Sequence, residues 1–182
     1  MSWFELNLKW KVLGFLAGNP GQSFYVSQLA KEIESGKGMV SVVLRELEKE
    51  GVLSRKSYGN SKFYTLKDNY MTRELKRFYF ITKVWDFDLP GYFLRQDDCI
   101  EFIVIYGSHS SGTQTADSDL DLLIITSSPR GFKITKLEKV LNKKVNITKQ
   151  SLGDWLRLKR KKEPFYQSTK VNHRVIYGSE LP

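Results

Sequence analysis

Ile100-Glu101-Phe102-Ile103-Val104-Ile105-Tyr106-Gly107-Ser108-His109-Ser110-Ser111-Gly112, continued by Ser118-Asp119-Leu120-Asp121-Leu122-Leu123-Ile124-Ile125, decides how this chain is read. Ile100, Phe102, Ile103, Val104 and Ile105 form an apolar, β-branched run of strand length. Leu120, Leu122, Leu123, Ile124 and Ile125 form a second. Between them the sequence predicts a loop of small residues with two glycines. The second strand carries Asp119 and Asp121 at its start, and residues two apart on a strand share a face. Two carboxylates held side by side repel, at a cost in stability unless a cation lies between them. Oxygen-only ligands of this kind suit Mg²⁺ or Mn²⁺. The Gly107-Ser108 turn adds backbone N–H groups and a hydroxyl, which a phosphate chain needs. Carboxylates for metal beside a Gly-Ser cradle point to phosphoryl or nucleotidyl transfer.

Gly107-Ser108, the spacer Gly112 and Ser118-Asp119-Leu120-Asp121-Leu122 together resemble the signature of the minimal nucleotidyltransferases in the DNA polymerase β superfamily. With about seven constrained positions, this gapped pattern is far more specific than a lone glycine motif. The rival reading is a hairpin-like connection with a solvated Asp-Ser-Asp turn. The resemblance runs from about Ile100 to Gly178, Arg174-Val175-Ile176-Tyr177-Gly178 being similar to the closing segment of these enzymes. It implies a small α/β domain with a four- or five-stranded mixed sheet. It also implies roles: Gly107 and Ser108 hold the β- and γ-phosphates of an NTP, Asp119 and Asp121 bind Mg²⁺ (or Mn²⁺), and Ser118 adds a hydroxyl contact. An acceptor hydroxyl then attacks the α-phosphorus and pyrophosphate leaves. In the resembled family the third strand carries a further carboxylate between two apolar residues. Here Val145-Asn146-Ile147 places Asn146 there. An amide oxygen can ligate Mg²⁺ but cannot take a proton from an attacking hydroxyl. Asp154 is the nearest substitute in sequence, and its place in the following helix argues against it. His109 and His173 read as structural.

Composition narrows the classes. The 182 residues are 41% hydrophobic and 27% charged, enough for a core and right for a soluble chain. No apolar run reaches the length of a membrane span and no signal peptide is legible, so no membrane partner is expected. One cysteine, Cys99, excludes an internal disulfide and fits a reducing cytoplasm. With two histidines besides, a structural zinc site is not expected. The net charge is +9, with 14 cations against 10 carboxylates in residues 1–90 and 15 against 10 in residues 91–182. Both halves therefore suit polyanionic partners.

In the N-terminal third, Leu8, Val12, Phe15 and Leu16 follow helical spacing up to Gly18-Asn19-Pro20-Gly21. Phe24-Tyr25-Val26 is extended, and Ser27 is expected to cap a short helix through Ile33. A third helix is predicted from about Met39 to Glu50, with Gly51 as its stop. Val52–Lys56 and Lys62–Leu66 then read as strands around Tyr58-Gly59-Asn60-Ser61. Three helices and a hairpin in this order resemble a winged helix-turn-helix. That resemblance implies DNA binding. Ser41, Val42, Arg45 and Lys49 would face the major groove with Lys37 just before the helix, and Arg55, Lys56, Tyr58 and Lys62 would sit on the wing. Glu46, Glu48 and Glu50 are interleaved, and the alternative is a protein-docking or dimerising module with an ordinary charged face.

Tyr70 to Trp85 is predicted as one long helix with a stripe of Met71, Leu75, Phe78, Thr82 and Trp85. The stripe could pair with a second chain as a homodimer or pack within its own chain. Asp86–Gly91 breaks it. The expected organisation is a winged helix-turn-helix over residues 1–68, a linker helix over 69–91 and a nucleotidyltransferase-like domain over 92–182. Beyond the signature, Ser151 is expected to cap a helix ending in Arg157-Leu158-Lys159-Arg160-Lys161-Lys162, a solvated helix end or an anion site. The leading functional reading is transfer of NMP from Mg-NTP to an acceptor hydroxyl on a protein, small molecule or nucleic acid. Its rivals are a DNA-binding transcriptional regulator that senses nucleotide without turnover, and an antitoxin-like protein that docks on or modifies a partner.

Overall fold

The structure, a computed structural model, describes residues 3–182. The chain divides into two compact units between Thr82 and Lys83.

In the first unit a 3-10 turn (Trp3–Glu5) leads to α1 (Leu8–Gly18), β1 (Ser23–Tyr25), α2 (Val26–Glu32) and α3 (Lys37–Lys49). β2 (Leu53–Tyr58) and β3 (Ser61–Leu66) follow, and α4 (Tyr70–Asp86) starts in this unit and runs past its end at Thr82. The Asn7 side chain caps α1 by accepting from the Trp10 N–H at 3.0 Å. The three strands form an antiparallel sheet in the order β1-β3-β2. Val12, Leu16, Leu29, Val40, Leu44 and Leu47 from the helices meet Phe24, Leu53, Tyr64 and Leu66 from the sheet in one core. The spacing of Val40, Leu44 and Leu47 turns one side of α3 inward and leaves the other to solvent.

Three expectations change. Tyr25 is still extended where β1 pairs with β3, so α2 starts at Val26 and Ser27 lies inside its first turn instead of capping it. Lys37 is the first residue of α3, not a residue before it. On α4 the buried residues are Thr72, Lys76, Phe80, Thr82 and Val84, whereas Met71, Phe78 and Trp85 are exposed, Trp85 by 82%. The inward side of this helix is partly polar because it closes its own start. Asn69 Oδ1 accepts from the Thr72 N–H (3.0 Å), Thr72 Oγ1 accepts from the Asn69 N–H (3.1 Å), and Lys76 pairs with Asp68.

The second unit contains α5 (Leu89–Leu94), β4 (Ile100–Tyr106), α6 (Gly107–Ser111), β5 (Leu120–Thr126) and α7 (Thr135–Leu141). It is completed by β6 (Val145–Gln150), α8 (Leu152–Lys161), α9 (Pro164–Val171) and β7 (His173–Tyr177). Its sheet is mixed, in the order β6-β5-β4-β7, with only the β5–β6 pair parallel. Leu120 and Leu122 to Ile125 are all fully buried, so β5 is covered on both faces and reads as a continuous apolar run. On one face Val104, Leu123 and Ile125 pack with Trp155 of α8 and Phe165 and Tyr166 of α9. Ser151 caps α8 as expected, accepting from the Asp154 N–H at 3.1 Å. Among the described residues no helix is long and apolar enough to cross a membrane.

Candidate functional site

Sheet register brings the signature residues together. Tyr106 of β4, Asp121 of β5 and Asn146 of β6 lie opposite one another in a single row across three strands. The chain then leaves β4 not through a loop but directly into the short helix α6. Gly107 makes this possible with φ +70, a left-handed conformation that side chains disfavour. It also stands against Asp121: a Cβ on Gly107 would lie 2.6 Å from Asp121 Oδ2. The backbone conformation favours glycine here, and a side chain would also displace the Asp121 carboxylate. Ser108 follows as the second residue of α6, half-buried.

Asp119 precedes β5 by one residue, and both carboxylates converge on the Asn146 amide. Nδ2 donates to Asp121 Oδ1 at 3.1 Å and to Asp119 Oδ2 at 3.3 Å. Two carboxylate oxygens reached by one nitrogen can also be bridged by one cation. The donor set is oxygen only, which fits a hard divalent ion such as Mg²⁺ or Mn²⁺. Asp154 is engaged elsewhere, with Ser151 at its own helix start and with Arg157 at 2.8 Å.

The Thr115–Asp119 loop is held from two sides that sequence reasoning did not find. The Ser118 hydroxyl, expected to touch nucleotide, accepts from the Thr115 N–H at 2.9 Å and so builds the loop. The Lys143 ammonium donates to the Ala116 and Ser118 carbonyls at 3.0 and 3.5 Å. Burial lowers the pKa of Lys143, against the pull of Asp117 and Asp119. His109 is buried (2% exposed), and its imidazole is pushed down to about 4 by burial and by Lys143, against a backbone hydrogen bond and the charge of Asp119. It is a neutral packing group beside the Asp119 main chain at neutral pH. No spacing rule marks Lys143; only its place just before β6 puts it there.

A second acidic cluster, Asp97, Asp98 and Cys99, precedes β4 at the far end of the sheet. Asp97 Oδ2 accepts from the Thr126 hydroxyl (2.7 Å) and Oδ1 from the Cys99 N–H (3.0 Å), which makes it a buried turn cap.

In the N-terminal unit, Lys37, Ser41, Arg45 and Lys49 fall at successive four-residue steps on α3 and form one outward stripe. Two of the interleaved acids are taken up by ion pairs, Glu48 with Arg55 at 3.3 Å and Glu50 with Lys9 at 2.6 Å. The hairpin residues do not share a surface. Arg55 and Lys62 lie on the side of the buried Tyr64, while Lys56 and Tyr58 lie on the opposite side with Phe63.

Residues 92–180 match the family described as polymerase beta, nucleotidyltransferase. Among curated proteins, none matches the chain. Among solved structures, a toxin–antitoxin crystal structure with AMP-PNP is 21% identical, covering 48% of this chain and 68% of its own at a TM-score of 0.35. A mutant form of the toxin–antitoxin MntA-HpeT is 17% identical, covering 51% of this chain and 73% of its own at a TM-score of 0.37. Likeness this remote speaks to neither substrate nor partner. The family match spans the strands and helices that carry Gly107, Asp119, Asp121 and Asn146, and on that ground residues 92–180 form a nucleotidyltransferase-type sheet domain.

Proposed function

We propose that the C-terminal domain, residues 92–182, transfers a nucleoside monophosphate from an NTP to an acceptor hydroxyl. The convergence of Asp119 and Asp121 on a single atom position beside Gly107 supports this reading. Asp119 and Asp121 would hold Mg²⁺ or Mn²⁺, which when bound neutralises triphosphate charge and stabilises the leaving oxygen. Gly107 and Ser108 would take the phosphate chain, while Ser118 and Lys143 keep Asp119 in place. The acceptor oxygen attacks the α-phosphorus as its hydroxyl proton passes to solvent, the α–β phosphoanhydride bond breaks, and pyrophosphate departs. A protein, a small molecule or a nucleic acid could supply the hydroxyl.

The N-terminal residues 1–68 act in this proposal as a winged helix-turn-helix that binds DNA, joined by a linker over 69–91. The α3 stripe of Lys37, Ser41, Arg45 and Lys49 would enter the groove, with Arg55, Lys56, Tyr58 and Lys62 around the hairpin. Lys37, Arg45 and Lys49 stay exposed along this helix and support it, while the Glu48–Arg55 pair ties Arg55 to α3. A cytoplasmic enzyme is the setting these features suit.

A second reading is favoured by Asn146. Its amide cannot accept the acceptor's proton, and it supplies the carboxylates with a donor in place of a third acid. In that reading the domain senses Mg-NTP without turnover and the N-terminal module regulates transcription. Calorimetric titration of the four NTPs, with and without Mg²⁺, tests the site common to both readings. Metal-dependent binding that is lost in Asp121→Ala is expected, and absence of binding in either condition would reject both. Turnover that appears only in Asn146→Asp would select the sensor.

A further inference from the structure

The outer face of the N-terminal sheet carries side chains that contact through α3 does not explain. Register places Tyr25, Phe63 and Lys56 in one row across β1, β3 and β2, and Tyr58 two residues along β2 from Lys56 shares their face. The opposite face carries Phe24, Tyr64, Leu53 and Leu66 and is buried. The three rings form a continuous ladder, edge to face. The Tyr25 and Phe63 centroids are 5.9 Å apart, and those of Tyr58 and Phe63 are 5.7 Å apart. Cross-strand packing accounts for Phe63, the half-buried middle ring. It does not account for the outer rings, since Tyr25 is 43% and Tyr58 66% exposed.

Charge on the hairpin has one sign. From Leu53 to Leu66 the chain carries Arg55, Lys56 and Lys62 and no carboxylate. Arg55 is held by Glu48 on the far side. Lys56 stands in the aromatic row, with no carboxylate partner among the described residues. Exposed rings with a cation among them and no acid suit a ligand with flat apolar faces strung on a polyanion.

We infer that this face binds single-stranded nucleic acid, with unpaired bases stacking on Tyr25 and Tyr58 and the backbone phosphates meeting Lys56. Every base has a π-face, so such a platform is tolerant of sequence. A duplex keeps its base faces within its own stack and cannot use them here. The Ser23 and Thr65 hydroxyls on this face bond to each other at 2.5 Å. The surface therefore reads base faces and phosphate charge, which DNA and RNA share. This surface is independent of nucleotidyl transfer; it shares Lys56 and Tyr58 with the hairpin contacts proposed for duplex DNA, while Tyr25 belongs to it alone.

Fluorescence anisotropy with the full chain tests it, using labelled oligo(dT) and oligo(rU) of about 15 nucleotides and a mixed-sequence duplex. Oligo(dT) and oligo(rU) should bind within about threefold of each other, more weakly as salt rises. Tyr25→Ala should weaken both about tenfold while Tyr25→Phe, which keeps the ring, stays within about twofold of wild type. Tyr25 is exposed and makes no side-chain cap bond to α2, so the variant keeps the fold, which circular dichroism verifies. Arg45→Ala should affect the duplex alone. Failure of wild type to bind either single strand overturns the inference, as does equal binding by Tyr25→Ala. Duplex-only binding that depends on Arg45 overturns it too, and leaves the groove reading of α3 standing.

Discussion

The two acidic clusters of the C-terminal unit begin with similar residues and end in different states. Asp97 precedes β4 and Asp119 precedes β5, at opposite ends of the same antiparallel pair. Asp97 is buried, and both of its oxygens already accept from protein donors, the Thr126 hydroxyl and the Cys99 N–H. Asp119 and Asp121 are half-buried and share one neutral donor, the Asn146 amide. A carboxylate offers about four lone-pair positions, so closeness of acids does not decide whether a cation is wanted. What decides it is how much of that acceptor capacity the fold leaves unused.

Four measurements break or sharpen this contrast. The largest effect belongs to Asp121→Ala, which should weaken Mg²⁺-dependent NTP binding by about a thousandfold or more, because it removes half of the carboxylate pair. Titration calorimetry reads it, and Asp97→Asn should leave the same affinity unchanged. Equal losses in the two variants would erase the distinction.

The second effect concerns pH and the Asp119 end. His109 is held at about 4 in the fold against an ordinary value of 6.5, so the unfolded chain takes up the proton first. Its contribution is fully present above about 6.5 and is lost progressively as the pH falls toward about 4, up to about 3 kcal/mol. Urea unfolding of metal-free protein between neutral pH and pH of about 4.5 should show this decline, with a shallower slope in His109→Asn.

Gly107→Ala comes third. It forces a side chain to φ +70 and into Asp121, at about 2 kcal/mol of stability, and should reduce NTP binding with it. Thermal unfolding with and without Mg-NTP separates the two losses. The smallest effect is that of Asp97→Asn on stability. It weakens the buried hydrogen bonds to Thr126 and Cys99 by about 1 kcal/mol, readable as a lowered denaturation midpoint with the Mg²⁺ response retained.

Much of the fold was legible because burial leaves a periodic trace. The runs Ile100–Ile105 and Leu120–Ile125 are strands since both are central in the sheet, and Ser151 caps α8 where a hydroxyl precedes an amphipathic run. The α4 helix turns Leu75 and Thr82 of its stripe inward and leaves Met71, Phe78 and Trp85 exposed, which overturns packing of the whole stripe within the chain but not its pairing with a second chain. Other inward positions of the helix are held by Thr72 and Lys76, whose polar groups are satisfied by Asn69 and Asp68, and apolar periodicity cannot register such a face. The expected loop after β4 became a helix because a single left-handed glycine can turn a strand into a helix without a linker. Lys143 escaped notice altogether, since its ties to Ala116 and Ser118 join residues far apart in sequence.

By itself the sequence determined which residues could do chemistry. The Gly107-Ser108 pair, the Asp119-Asp121 spacing and the amide at Asn146 are matters of residue type and interval, fixed before folding. Only the tertiary structure decided that Asn146 reaches both carboxylates, that Ser118 serves its own loop, and that Arg55 and Lys56 face opposite ways. Those outcomes depend on strand register and on the alternation of side chains across a sheet, which relate residues through space and leave no mark in local sequence.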